Sequence, residues 1–239
     1  MPRLRTASVL PGCLGTALAL LVACAAPAPL PEATAARWRL ADAALRDPEL
    51  ERFLDRRLAA VGSGAVTAVS VVLRPPGLRA QWREPGVVLV WADLLLRVVD
   101  DAELAFVLAH EVGHARLGHA AVPAATATPA DRLALEREAD RWARARLVAM
   151  GYRADAGETL LAALSAELAG DPARATVRAT IEARLAALRA LPPPGDPIGT
   201  GAAPAGWPAL QRSRREAWAA LDPSLRDPAR AAQVRGRWP

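Results

Sequence analysis

The segment from Leu104 to His119 constrains the fold of this chain more than any other part of the sequence. Only two of its residues, Glu111 and Arg116, carry a formal charge. Asp100, followed three residues later by Glu103, is typical of a helix N-terminus. A helix that is apolar nearly all round is a buried helix, because a surface helix shows a polar face. The sequence therefore predicts a helix at the centre of the core.

The same segment contains all three histidines of the chain. His110 and His114 are four residues apart, so both project from one face of the helix and are able to bind one metal ion. Glu111 lies about 100° further round the helix, close enough to polarise a water molecule without occupying a ligand position. A buried carboxylate without a partner costs several kcal/mol, so a simple solvated face does not explain Glu111. The pattern predicts a metal site with Glu111 as the catalytic base.

A catalytic zinc ion needs a third protein ligand and one open position. His119 is a poor choice, because on a continuous helix it lies about 140° from His114. We expect His119 to pack against the site or to support a ligand instead.

The next predicted helix, residues 131–150, offers Glu136, Glu138 and Asp140. Glu136 lies on the mostly apolar arc of this helix, and Asp140 lies about 40° further round. Glu138 lies about 160° from Glu136 among arginines, where exposed ion pairs suffice to explain it. We therefore predict that Glu136 is the third ligand. Asp140 is expected to accept a hydrogen bond from a ligating imidazole.

Hydrophobic periodicity and turn residues predict helices and a few short strands along the rest of the chain. The predicted helices cover residues 32–45, 47–61, 131–150, 156–168 and 172–191, and the predicted strands cover 65–73, 78–82 and 87–91. We expect an α+β, mostly helical, zincin-like fold. In it, a small antiparallel sheet packs on the helix with the two histidine ligands and on the helix with Glu136.

The predicted metal-site domain spans residues 33–190. The Pro/Gly-rich residues 191–208 are expected to form a linker. The Arg-rich residues 209–239 are expected to form a helical tail at the periphery of the domain.

Residues 1–23 have the pattern of a secretory signal peptide. Arg3 and Arg5 precede the apolar run 14–23, which is too short to span a bilayer. Residues 21–24 also resemble a bacterial lipobox, in which the signal is removed before a lipidated Cys24. An ordinary cleaved signal that contains a cysteine is the alternative.

Lipidation of Cys24 would make residues 24–32 a tether to the membrane. Ala25 follows the cysteine, where lipoproteins retained in the inner membrane have aspartate. We therefore expect a lipid-anchored protein on the periplasmic face of the outer membrane. No disulfide is expected, because Cys13 would leave with the signal and Cys24 would be acylated.

The charge of the chain argues against nucleic acid as a partner. Loss of Arg3 and Arg5 leaves 28 basic residues (30 minus 2) against 25 acidic ones. A net charge of +3 on a chain of this length is too small for a nucleic-acid-binding surface.

Three runs of the sequence are similar to a known family, the gluzincin metallopeptidases that include HtpX, BepA and the CAAX prenyl endoprotease. These runs are Gly86–Leu95, Asp101–His114 and Glu136–Asp140, the last matching the E-x-x-x-D segment of the family. The resemblance spans roughly residues 65–190. It implies a cell-envelope peptidase with one zinc ion per chain, and it places Glu136 as the zinc ligand.

The sequence departs from the family at two positions. Arg79-Ala80 stands where the family commonly has Asn-Ala before the Pro-Gly turn. Arg178 stands where the family often has a histidine that precedes an Arg-x-x-x-Leu helix, here beginning at Arg184. If the family histidine stabilises the oxyanion or gates the site, Arg178 is the residue expected to replace it.

These features together predict a zinc metalloendopeptidase that hydrolyses unfolded or misassembled envelope proteins. A zinc-activated water would attack the peptide bond with Glu111 as general base. An extended substrate is expected to pair with an exposed strand edge within residues 87–91. Two alternatives remain: a non-catalytic zinc lipoprotein that acts as a chaperone or binding module, and an enzyme that cleaves peptidoglycan cross-links.

Overall fold

The computed structural model describes residues 47–62, 68–72, 80–83, 86–122, 126–193 and 205–238. The predicted signal peptide, Cys24, the tether and the first predicted helix lie outside the described residues. Most of the predicted linker lies outside them as well.

The described residues are mostly helical, and the helices follow the predicted order. They are α1 (Pro48–Val61), α2 (Ala92–Leu95), α3 (Asp101–Arg116), α4 (Pro129–Ala149), α5 (Ala156–Leu168), α6 (Ala175–Arg189), α7 (Trp207–Arg212), α8 (Arg215–Leu221) and α9 (Pro228–Arg235). Short 3-10 turns cover His119–Ala121, Pro172–Arg174 and Pro223–Arg226. No described helix is both long enough and apolar enough to cross a membrane.

The helix starts follow the capping residues. The Asp47 carboxylate accepts the Leu50 N–H at 3.0 Å at the start of α1. The Asp100 carboxylate accepts the Glu103 N–H at 2.8 Å at the start of α3. Each bond satisfies a backbone donor that has no partner within the helix. Both helices begin within one residue of the predicted position.

Three strands form a mixed sheet in the order β1-β3-β2, with β1 at Ala68–Val72, β2 at Ala80–Arg83 and β3 at Val87–Trp91. The antiparallel prediction holds for β2 and β3 but is wrong for β1 and β3, which are parallel. The reason is that β2 lies at an edge of the sheet, and β3 pairs with β2 on one side and with β1 on the other. The exposed edge predicted within residues 87–91 is therefore wrong, because β3 is paired on both sides and all its residues are buried.

The apolar helix α3 lies in the core, as predicted, with every residue from Ala102 to Gly113 buried. It lies close to α4 at Gly113, where an added Cβ would lie 3.3 Å from the Ala139 backbone. Ala139 is itself fully buried. Two small residues thus let the helix backbones approach closely, which brings His110 and His114 on α3 towards Glu136 on α4.

The C-terminal segment is not peripheral, which corrects the sequence prediction. Trp207, at the end of the predicted linker, is fully buried, and its Nε1–H donates to the Val98 carbonyl at 2.8 Å. The buried Gln211 side chain donates to the carbonyls of Leu95 and Val98. The buried Arg97 guanidinium contacts Asp222 at 2.6 Å. The tail therefore completes the core around the segment that follows α2.

We expect Trp207→Ala to reduce the free energy of unfolding by about 3–5 kcal/mol, because it removes a buried indole and leaves a cavity. Urea denaturation of the full-length chain in mild detergent, followed by circular dichroism, measures this change. Val177→Ala is the matched control, because Val177 is 53% exposed and surface substitutions change stability by only about 0.5 kcal/mol. An unchanged midpoint for Trp207→Ala would show that burial of Trp207 does not stabilise the domain.

Candidate metal centre

The packing of α3 against α4 brings three ligand-type side chains to one point. The Nε2 atoms of His110 and His114 are 3.1 Å apart. Glu136 Oε2 lies 3.3 Å from His110 Nε2, and Glu136 Oε1 lies 3.4 Å from His114 Nε2. Ligand atoms of all three residues lie within 4.8 Å of one another. The residues predicted as the ligand set are therefore neighbours.

This donor set fits zinc. Zinc binds imidazole nitrogen and carboxylate oxygen at about 2.0–2.2 Å, and two ligands of a tetrahedral ion then lie about 3.3 Å apart. The observed separations of 3.1–3.4 Å agree with that requirement. Three protein ligands leave one position for water or substrate, as catalytic sites require.

Asp140 contacts His110, the imidazole it is predicted to support. Its Oδ1 lies 2.9 Å from His110 Nδ1, and the carboxylate is almost completely buried. A proton on Nδ1 leaves the Nε2 lone pair directed towards His114 and Glu136. Burial and the Arg184 charge act to lower the pKa of His110, but hydrogen bonds to Asp140 and Glu136 outweigh them and raise it to about 9.

Arg184 is a site residue that the sequence argument missed. Its Nε and Nη2 donate to the two oxygens of Asp140 at 2.8 and 2.7 Å. Its Nη1 lies 2.9 Å from Glu136 Oε2, which leaves Oε1 on the side of His114. Burial alone would raise the pKa of Glu136, but contacts with the two histidines and Arg184 hold it well below its usual range.

A signal for Arg184 exists in the sequence. Ile181 and Leu188, three residues before and four after it, are both buried on α6. A charged residue within such an apolar stripe needs a buried partner, because burying an unpaired charge is costly. The same test that selected Glu136 on α4 would therefore have selected Arg184 on α6.

Glu111 lies beside the ligand cluster and is buried. One of its oxygens, Oε2, accepts the backbone N–H of Trp82 on β2 at 2.7 Å. This bond satisfies part of the carboxylate and holds it against the outer strand of the sheet. The predicted base is thus next to the ligands but is not one of them.

His119 lies against His114, although a helical wheel places the two residues on different sides of the helix. The helix α3 ends at Arg116, and Gly118 adopts a left-handed conformation with φ 70°. The chain therefore folds back, and His119 Nδ1 comes within 2.8 Å of His114 Nδ1. His119 Nε2 lies 3.1 Å from Oε2 of Glu138, a residue that the sequence assigned only to an exposed ion-pair face.

Arg178 is not brought into the site, which corrects its predicted role in oxyanion stabilisation or gating. Its side chain is 40% exposed and lies 3.6 Å from Glu182 on the same helix. It is absent from the described residues that line the cavity. The alignment on Arg184 placed Arg178 six residues earlier on α6, about 120° round the helix from Arg184.

A cavity of about 890 Å³ opens at the ligand cluster. Residues of β2 form one wall of the cavity, and His110, Glu111, His114, Glu136 and Arg184 also line it. Apolar side chains line another part of it: Leu94, Phe106, Val107, Leu160, Leu161 and Leu164. The cavity therefore combines a polar cluster, an apolar region and an outer strand.

Comparison with known families agrees with this geometry. Residues 44–135, less than half of the chain, match the model of peptidase family M48. No curated protein matches the chain. The matched segment contains His110, Glu111 and His114 and ends one residue before Glu136. The family match and the ligand cluster together support a metallopeptidase of the M48 family.

Proposed function

We propose that this chain is a zinc-dependent metalloendopeptidase of the bacterial cell envelope. The observation that carries the proposal is the cluster of His110, His114 and Glu136, with Glu111 beside it in the cavity. Two imidazoles and one carboxylate suit a catalytic zinc ion, one per chain. When bound, zinc would polarise the carbonyl of the peptide bond and lower the pKa of the attacking water.

The protein side of the reaction depends on Glu111. Its carboxylate would receive the proton of the attacking water and deliver it to the leaving nitrogen. The Trp82 N–H fixes one carboxylate oxygen at 2.7 Å, so the base is oriented before substrate arrives. Asp140 contacts His110 and Arg184 contacts Glu136, so each would hold its partner in place.

The geometry supports an extended polypeptide as substrate. The strand β2 has one neighbour, β3, among the described strands, and its residues Ala80–Arg83 line the cavity. An extended chain adds to such an edge through main-chain hydrogen bonds, which read the backbone more than the side chains. The apolar residues of the cavity would accept an apolar side chain. Unfolded proteins offer both features, since they expose backbone and apolar side chains together.

The place in the cell rests on the sequence alone. Residues 21–24 carry the lipobox pattern, and lipidation of Cys24 would anchor the enzyme at the periplasmic face of the outer membrane. In that position the enzyme would meet unfolded or misassembled envelope proteins.

The test is digestion of casein by the full-length chain in mild detergent, with and without a zinc chelator. We expect proteolysis that the chelator abolishes and that added zinc restores, because the ligand cluster is required for the reaction. A chain that holds one zinc ion and cleaves neither casein nor cell wall would favour the non-catalytic binding module. Activity on purified cell wall without activity on protein would favour the peptidoglycan alternative.

A further inference from the structure

We propose that His119 and Glu138 position the ligand His114 through a hydrogen-bond relay, Glu138–His119–His114. This inference rests on the metal site of the proposed function and assigns roles to two residues outside the ligand set. The relay would do for His114 what Asp140 does for His110.

The contacts form a continuous path. His114 Nδ1 lies 2.8 Å from His119 Nδ1, and His119 Nε2 lies 3.1 Å from Glu138 Oε2. The His119 side chain is only 6% exposed, while that of Glu138 is 48% exposed. The path thus begins at a half-exposed carboxylate and ends at the ligand cluster.

Along the path from Glu138 to His114, only one placement of protons on neutral imidazoles makes both contacts hydrogen bonds. A carboxylate accepts and does not donate, so the proton of His119 must be on Nε2, facing Glu138. The Nδ1 of His119 is then an acceptor, and the proton of His114 must be on its Nδ1. The opposite arrangement would place two acceptors against each other at 3.1 Å. The relay therefore leaves the Nε2 lone pair of His114 free to bind a metal.

The local backbone explains why an imidazole is needed between Glu138 and His114. Glu138 is two residues from Glu136 and projects from a different side of α4, where its carboxylate contacts His119 and Arg141. The left-handed Gly118 turns the chain so that His119 fills this gap. The rings of His114 and His119 meet edge to face, with centroids 4.9 Å apart.

A packing role and a relay role make opposite predictions for two substitutions. In His119→Phe the ring volume is kept and both hydrogen bonds are lost. In His119→Asn the volume is reduced, but the amide oxygen takes the position of Nδ1 and still accepts from His114. Packing alone predicts that Phe is tolerated better than Asn, whereas the relay predicts the reverse.

The experiment measures zinc affinity by competition with a chromogenic chelator, using the full-length chain in mild detergent and zinc alone as the probe. We expect His119→Phe to bind zinc about 10- to 100-fold more weakly than wild type, as loss of an outer hydrogen-bond partner does in other zinc sites. His119→Asn should recover part of this loss. Glu138→Leu should also weaken binding, whereas Glu216→Leu, at a 71% exposed carboxylate on α8, should not.

Visible absorption of the cobalt-loaded protein gives a second readout, because it changes when a ligating imidazole rotates. We expect a changed spectrum for His119→Phe and a spectrum closer to wild type for His119→Asn. Zinc affinity within twofold of wild type for both His119→Phe and Glu138→Leu, with unchanged cobalt spectra, would overturn the relay.

Two further outcomes distinguish failure of the relay from failure of the proposed metal site. If His119→Phe does not fold, Glu138→Leu decides, and an affinity equal to that of Glu216→Leu would overturn the relay. A folded wild-type chain that binds no zinc would instead remove the metal site and the proposed function, and the relay with it.

Discussion

Glu111→Gln is expected to lower the rate constant for peptide hydrolysis by about 10²- to 10⁴-fold, the contribution usual for a general base. The amide is neutral over the working pH range and does not take the proton from water. The amide oxygen is still able to accept the Trp82 N–H, which the carboxylate accepts at 2.7 Å. We therefore expect the variant to fold and to keep its zinc. Digestion of casein and zinc content, measured on the same preparation, check both expectations.

The control for this substitution is Glu216→Gln, which removes one carboxylate from a residue 71% exposed on α8. It should retain wild-type activity, since Glu216 is not among the described residues that line the cavity. A Glu111→Gln protein that digests casein at the wild-type rate would refute the assignment of Glu111 as the base.

Glu136→Gln is expected to weaken zinc binding by more than about 100-fold, the upper end of what loss of an outer partner costs. The amide is a poorer ligand than the carboxylate, and because it is neutral it does not offset the positive charge of zinc. Because Arg184 keeps its paired contact with Asp140, we expect the fold to persist. Zinc content after dialysis and chelator competition measure the change. Full zinc occupancy in Glu136→Gln would show that Glu136 is not a ligand.

The parts of the site that depend on local periodicity could be predicted from the sequence. His110 and His114 are four positions apart, and any α-helix places such residues on one face. The apolar residues around Glu111 indicated a buried helix, and residues 102–113 are buried. The helical wheel of α4 separated Glu136 from Glu138, because one lies with the apolar residues and the other does not.

The parts that depend on distant segments could not be predicted in this way. The parallel pairing of β1 with β3 follows from strand order, which no local pattern encodes. Trp207 lies in the core through a contact with Val98, more than a hundred residues earlier. Trp207, in the predicted linker, and Trp218, in the predicted tail, are both buried although the composition of these segments indicated a peripheral position.

The position of His119 was predicted wrongly because a helical wheel does not apply beyond the end of the helix. The wheel assumes a continuous helix, but Gly118 ends it with a left-handed conformation that glycine adopts without steric cost. The predicted separation of His119 from His114 therefore does not apply. The same turn gives Glu138 a partner, so an exposed carboxylate comes to contact the site.

The charged side chains Arg184, Asp140 and Glu136 form one connected group. Arg184, on α6, contacts both Asp140 and Glu136, which lie on α4. The paired contacts reduce the cost of burying these carboxylates, which would be high for isolated charges. Despite burial, hydrogen bonds to Asp140 and Glu136 raise the pKa of His110, so protons compete with zinc for its Nε2.

Anomalous X-ray diffraction at the zinc absorption edge, from crystals grown with zinc, is the most direct test of the metal site. We predict one zinc peak per chain within bonding distance of His110 Nε2, His114 Nε2 and a Glu136 oxygen, with His119 beyond bonding distance. A peak elsewhere, a peak bound by His119 in place of Glu136, or no peak in a zinc-saturated crystal would contradict the account.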